Sequence, residues 1–295
     1  MRDTLVGFSR AMFSNWLWHR PLQLLLDAGE GLHLGMDSRV LQPTHVLITH
    51  GHSDHVLGLP GFIAARRFGL GDPEKPLAVL YPDGAAGVRA MRETAEALWP
   101  GEPFPVRWVP VAPGHEQPLT KKRVLDAFAA DHSAADGAVG YRVLEIRRRL
   151  KPEYRDLSAE ALRGLAAQGR RDVATEEYRH ILFAHTGDTM PLDPDLFRGA
   201  DLLVHDATFL DPVDRTVDVH ATSEEAIVTA REAGVKRLVL HHLSVRYDRA
   251  EAVPRLRRQV QEVGFEGECW LLDGAAFVAV SEETPVRERQ ARTTA

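Results

Sequence analysis

The chain has 295 residues, 44% hydrophobic and 26% charged, the make-up of a globular protein with a sizeable core and not of a disordered chain. Its 36 Lys and Arg stand against 42 Asp and Glu, a formal charge of −6, which argues against a surface coated in positive potential and leaves room for a local basic patch. A single cysteine, Cys269, excludes an intrachain disulfide and fits a reducing cytoplasm, and charged residues from Arg2 to Asp27 interrupt the first thirty positions too often for a signal core or a membrane span.

Taken in chain order, short apolar runs predict strands at 22–26 and 45–49, a helix at 56–68, a strand at 77–81, a helix at 85–98, and strands at 106–111, 124–129 and 138–144. A charged stretch at 145–180 reads as coil around a helix at 158–168. Strands follow at 181–186 and 202–205. The next helix, 223–233, opens on a capping-box pattern of Thr222 and Glu225 and closes at Gly234. A strand at 237–242, a helix at 250–263 and strands at 269–272 and 276–280 complete the pattern. Strands in both halves with helices between them predict two packed sheets flanked by helices, an α+β protein with an αββα sandwich. We expect one domain over 1–281, an inserted arm at about 145–180 and a frayed tail at 282–295. No internal repeat motif is present.

The sharpest motif is Thr49-His50-Gly51-His52-Ser53-Asp54-His55, directly after an apolar run. Its form is H-x-H-x-D-H. His50 and His52 alternate in near-extended chain while Asp54 and His55 lie past the bend, so the turn can face two ions, and imidazole with carboxylate suits zinc. A surface turn that happens to be rich in histidine is the bland alternative, and the fixed spacing after a buried strand speaks against it.

The stretch 49–61, with Gly58, Pro60 and Gly61, resembles the signature of metallo-β-lactamase-fold hydrolases and especially of ribonuclease Z, as does Leu26-Asp27-Ala28-Gly29-Glu30-Gly31 upstream. Further pieces follow in the family's order. Asp131-His132-Ser133 with Gly140-Tyr141-Arg142 looks like the third motif and His185-Thr186-Gly187-Asp188 like the fourth, while His242-Leu243-Ser244-Val245-Arg246-Tyr247 matches H-x-S-x-R-Y and leaves His241 without an assigned role. Taken alone, His132 or His242 is more often an ordinary core histidine; their order changes that. The resemblance implies two zinc ions, or manganese or iron: one held by His50, His52 and His132, the other by Asp54, His55 and His242, with Asp188 shared.

Two further elements resemble the ribonuclease Z branch in particular: His205-Asp206-Ala207-Thr208 and His220-Ala221-Thr222, with Asp206 where the family usually has glutamate and Ala221 where it has serine. They imply phosphodiester hydrolysis of the kind that processes tRNA 3′ ends, in which Asp54 positions the nucleophile and His220, oriented by Asp206, protonates the departing ribose oxygen. His220 could instead merely close the loop before the Thr222 cap. Arg246 and Ser244 are candidate phosphate contacts, and an ordinary surface ion pair is an equal fate for Arg246.

The substrate is less determined. The family's arm is Gly/Pro-rich, whereas 145–180 is neither; between 147 and 171 it holds eight basic residues against three acids. That contrast permits binding to an RNA backbone, and a solvated or subunit-contacting arm fits equally well. The opening Val6-Gly7-Phe8-Ser9-Arg10 and the Leu32-His33 after Gly31 also depart from the family pattern. Precursor tRNA or a small phosphodiester is the expected substrate, with a thioester, lactone or β-lactam as the alternative. A cytoplasmic homodimer with no membrane contact is implied by resemblance. A non-enzymatic binding module is disfavoured because all seven ligand candidates are present.

Overall fold

The computed structural model describes residues 1, 3–69, 75–98, 106–132 and 137–281. The first half contains β1 (Leu5–Arg10), β2 (Ser14–His19), β3 (Leu24–Leu26), α1 (Leu32–Met36), β4 (His45–Leu47), α2 (Ser53–Val56), α3 (Leu59–Phe68), β5 (Leu77–Pro82), α4 (Ala86–Leu98) and β6 (Val106–Val111). The second half contains β7 (Glu116–Thr120), β8 (Arg123–Ala129), β9 (Val139–Leu150), α5 (Ala159–Ala167), α6 (Arg171–Ala174), β10 (Thr175–His185), β11 (Leu203–Asp206), α7 (Ser223–Glu232), β12 (Arg237–His241), α8 (Arg249–Val263), β13 (Glu268–Asp273) and β14 (Ala276–Ala279). Each half makes its own sheet, in sequence order: β1 to β6 in one and β7 to β14 in the other.

Both sheets start antiparallel and become parallel, through β3 to β6 in the first and β10 to β13 in the second. Parallel neighbours need a crossover, and helices supply most of them. Strands covered on both faces read as continuous apolar runs, which is why these were visible in the sequence. Alternate residues then divide between layers. Leu24, Leu26, Leu47 and Leu80 meet Phe183, Val204, Val239 and Leu272 between the sheets. Leu25, Val46 and Val79 face outward to Leu32, Met36, Leu59 and Phe62 under the first set of helices. Leu203, Leu238 and Leu240 face Ile227, Ala230 and Leu256 of α7 and α8. The result is the expected αββα sandwich. Among the described residues no helix is long and apolar enough to cross a membrane.

Several expectations are corrected. The helix expected at 56–68 is two helices, α2 and α3, parted at Leu57 and Gly58. Gly58 presses against the preceding loop so closely that a Cβ there would lie 2.0 Å from the Gly29 carbonyl oxygen. Strands β1, β2 and β7 were not foreseen. Every residue of β2 is buried, including Ser14 and Asn15, while β7 carries only one strongly apolar residue, so neither shows a clean alternation. The arm is hairpin and not coil at its base: β9 and β10 continue to Leu150 and Thr175, with Arg149 opposite Glu176 and Arg148 opposite Glu177. Arg149 bonds Glu176 at 2.8 Å, and Arg148 pairs with Asp172. Over the whole of 145–180, nine Lys and Arg face seven Asp and Glu, so the basic excess of the inner window is largely offset by its flanks. The tail at 282–295, expected to fray, lies outside the described residues, as does Ser133.

Candidate metal centre

Five strands end at one place. The loops after β4, β8, β10 and β12 and the last residue of β11 meet at the carboxyl edge of the two sheets, where open sheets present polar groups to ligands. The first sheet contributes His50, His52, Asp54 and His55; the second contributes His132, Asp188, Asp206 and His242. His50, His52, His132 and Asp188 form one group, and Asp54, His55 and His242 another; in each, one ligand atom per residue lies within 4.8 Å of all the others.

Asp188 stands between the groups. Its Oδ2 lies 3.7 Å from His50 Nε2, 3.4 Å from His55 Nε2 and 3.2 Å from His242 Nε2. Asp54 Oδ2 lies 3.5 Å from His55 Nε2 and 3.4 Å from His242 Nε2. Ligands about a tetrahedral zinc, at bonds of ~2.0–2.1 Å, stand roughly 3.3 Å apart, so these spacings fit a cage. His50 Nε2 and Asp188 Oδ1 are buried with no hydrogen-bond partner. A buried polar atom left unpaired is costly, and atoms pointed at one another in this way fit cations between them.

In His50, His55, His132 and His242 the Nδ1 is occupied, which turns the Nε2 inward, whereas His52 turns its Nδ1 to His132 Nε2 at 3.4 Å. His55 Nδ1–H donates to Asp27 Oδ2 at 2.9 Å and His132 Nδ1–H to the Val219 carbonyl at 2.8 Å. His242 Nδ1–H donates to Thr208 Oγ1 at 2.8 Å, and that hydroxyl donates to Asp206 Oδ1 at 2.6 Å. His50 Nδ1 lies 3.1 Å from Thr49 Oγ1, whose hydroxyl reaches Asp27. Asp27 and His242 both hold left-handed backbone, with φ of 54° and 65°, a strain that packing must sustain. Burial and the neighbouring His55 hold His50 well below the ordinary imidazole range. For Asp54, burial opposes ionisation, but the His242 and His55 rings beside it outweigh that and keep the carboxyl well below its usual range.

His220 sits beside the cage. Its Nδ1–H donates to Asp206 Oδ2 at 2.8 Å and lies 3.9 Å from Asp188 Oδ2. Asp206 is fully buried and also accepts the N–H groups of Thr189 and Thr208, both at 2.9 Å. Burial disfavours a charged His220, yet Asp206 outweighs it and lifts the imidazole to about 9. The pair can therefore hold a proton at the rim of the cage.

Other expected residues have different settings. Ser244 is buried, with its Oγ turned to the Arg246 N–H at 3.5 Å. Arg246 Nη1 donates to the Asp214 carbonyl at 2.9 Å and its guanidinium lies over Phe209 at 5.6 Å, so it braces the loop before His220. His241 stacks on His185 at 5.0 Å, and His205 Nδ1 bonds the Asp206 carbonyl at 2.8 Å, both beneath the cage. Sequence reasoning missed four supporting residues. Asp27 and Thr208 lay inside motifs already singled out; Asn15, whose Nδ2–H donates to Asp54 Oδ2 at 2.9 Å, carried no local signal. Nor did Arg215, which donates to Glu225 Oε2 at 2.8 Å and to the His220 carbonyl at 3.3 Å.

Comparison with known proteins agrees with this fold. Residues 23–243 match the Beta-lactamase superfamily domain. The chain is 32% identical over 262 residues to a Ribonuclease Z of Metallosphaera sedula, covering 80% of this chain and 84% of that one. It is 34% identical over 281 residues to a Ribonuclease Z of Haloferax volcanii, covering 87% and 83%. Among solved structures, the short form of human tRNase Z superposes with a TM-score of 0.62 at 20% identity, over 94% of this chain and 99% of that one. A metallo-β-lactamase-fold protein from Bacillus subtilis gives 0.65 at 16% identity, over 93% and 98%.

Proposed function

Because the chain belongs to the β-lactamase superfamily and, within it, to the ribonuclease Z family, we propose that it is an endoribonuclease that matures tRNA 3′ ends with two zinc ions. It is a metal-dependent hydrolase, and the donor set fits divalent cations. His50, His52 and His132 would hold one ion and Asp54, His55 and His242 the other, with Asp188 shared. Bound there, such cations supply Lewis acidity, lowering the pKa of water and countering charge on phosphoryl oxygens.

The remaining work falls to side chains. Asp54, fixed by Asn15 and by the Met12 N–H at 3.1 Å, orients the attacking water in line with phosphorus. As the P–O bond breaks, His220 gives its Nε2 proton to the departing ribose oxygen, and Asp206 steadies the ring through Nδ1. The observation that carries this reading is the His220–Asp206 pair beside Asp188, since a proton donor set against a cation cage is what an alkoxide leaving group requires. A cytoplasmic homodimer belongs to the same proposal. The nearly charge-balanced arm favours a second reading, a small phosphodiester as substrate.

Incubating the protein with a precursor tRNA carrying a 3′ trailer separates the two. Cleavage at one position next to the acceptor stem is expected. Hydrolysis of bis(p-nitrophenyl) phosphate with the precursor left intact would establish the second reading instead.

A further inference from the structure

Large apolar side chains outside the core lie on segments whose backbone is tied to the cage. Met12 and Phe13 form the turn between β1 and β2 and are 81% and 63% exposed. That turn is pinned. Met12 holds left-handed backbone at φ 67° and its N–H donates to Asp54 Oδ2, while the Ala11 N–H donates to the Leu243 carbonyl at 3.3 Å and the Phe13 N–H to the Arg10 carbonyl at 3.1 Å. Asn15, two residues past Phe13, donates to the same oxygen of Asp54. A fixed backbone thus keeps two apolar side chains in water next to the candidate nucleophile-orienting carboxylate. The segment before His220 and the turn after His242 add Val213, Val217 and Val245, also exposed, and the first of these segments is tied to the cage through the Val219 carbonyl and His132.

Exposed apolar groups gathered round a site mark what the site receives. A phosphodiester in single-stranded RNA brings charge to the cage and an unpaired base on either side of it, and the face of a base is the apolar part. Neighbouring Cα atoms are ~3.8 Å apart, so Phe13, one residue beyond the Met12 N–H on Asp54, stands within about a nucleotide of the scissile phosphate. We propose that Phe13, backed by Met12, is a stacking platform for the unpaired nucleobase adjoining the scissile phosphate of RNA; this deepens the function proposed above and rests on it. Such stacking tolerates any base, because every base has a π-face. Specificity at this position is therefore for the presence of a base and not for its identity.

The test uses the metal-loaded enzyme and an RNA hairpin with a single-stranded 3′ trailer, unmodified or with an abasic residue on either side of the cleavage site. With wild-type enzyme, one abasic position should lower kcat/KM by roughly 5- to 150-fold, the range of one stacked base. Phe13→Ala should cause a similar loss on unmodified RNA and little further loss on the abasic one, and Phe13→Trp should restore cleavage. A 2-aminopurine at that position should be quenched on binding to wild type and to Phe13→Trp but not to Phe13→Ala. Equal losses on both RNAs, or no loss, would overturn the platform while leaving the ribonuclease standing. A change in sedimented mass on Phe13→Ala, with flanking bases irrelevant, would assign the side chain to a subunit contact and overturn it too. If wild type cleaves no RNA, the parent reading has failed and the platform falls with it. Metal content and circular dichroism of each variant show whether it is folded.

Discussion

His220 lies beside Asp188 and Asp27 holds His55, and their substitutions separate chemistry from support. His220→Ala should lower turnover by about 10²–10⁴-fold, the usual contribution of a positioned acid, with bound metal unchanged by elemental analysis. Loss of metal would make His220 a ligand instead. Asp27→Asn should do the reverse: the carboxylate that receives the His55 Nδ1–H at 2.9 Å disappears, and metal affinity should drop by about 10–100-fold in a chelator competition. At this scale the sequence was most readable where chemistry is contiguous. His50, His52, Asp54 and His55 stand on one turn, and the spacing exposes them. His132, Asp188 and His242 became readable only through their order along a family pattern. Asn15 and Thr208 act across 39 and 34 residues of chain, on Asp54 and His242, and no short-range rule points to such a partner.

Thr222 shows how an element edge serves the site. Its Oγ1 accepts the Glu225 N–H, Glu225 Oε2 accepts the Thr222 N–H, and the same carboxylate binds Arg215, which holds the His220 carbonyl. Thr222→Ala should cost about 1 kcal/mol, a shift of about 2–4 °C in thermal midpoint for a protein of this size, and Thr222→Ser should recover most of it. Identical midpoints for Thr222→Ala and wild type would remove the cap from the energetics. This helix was legible because capping is local. The arm was misread as coil because its base is held by charge pairs between β9 and β10, and a strand whose outward partners are Arg and Glu shows no apolar period. Buried polar residues hid β2 in the same way: Asn15 reaches Asp54 and Ser14 the Glu30 carbonyl, and the pair breaks the apolar run.

The whole molecule couples folding to the cage, because its donors come from both sheets. Ions held between them bind the native state and not the unfolded chain, so a strong chelator should lower the thermal midpoint, and re-added zinc should restore it in proportion to the logarithm of concentration. At a thousandfold excess over the dissociation constant the contribution is about 4 kcal/mol. Asp188→Ala should respond far less; an equal response would place the ions elsewhere. The same arrangement has a use in assay design. The strands of each sheet are consecutive in the chain, and the crossing from one sheet to the other is the short turn between β6 and β7. Cut at that turn, residues 1–112 would carry four of the seven donors and 113–295 the other three, so neither piece alone would hold the complete cage. Fused to two proteins suspected of meeting, the pieces would form a complementation reporter whose signal requires both an encounter and free metal.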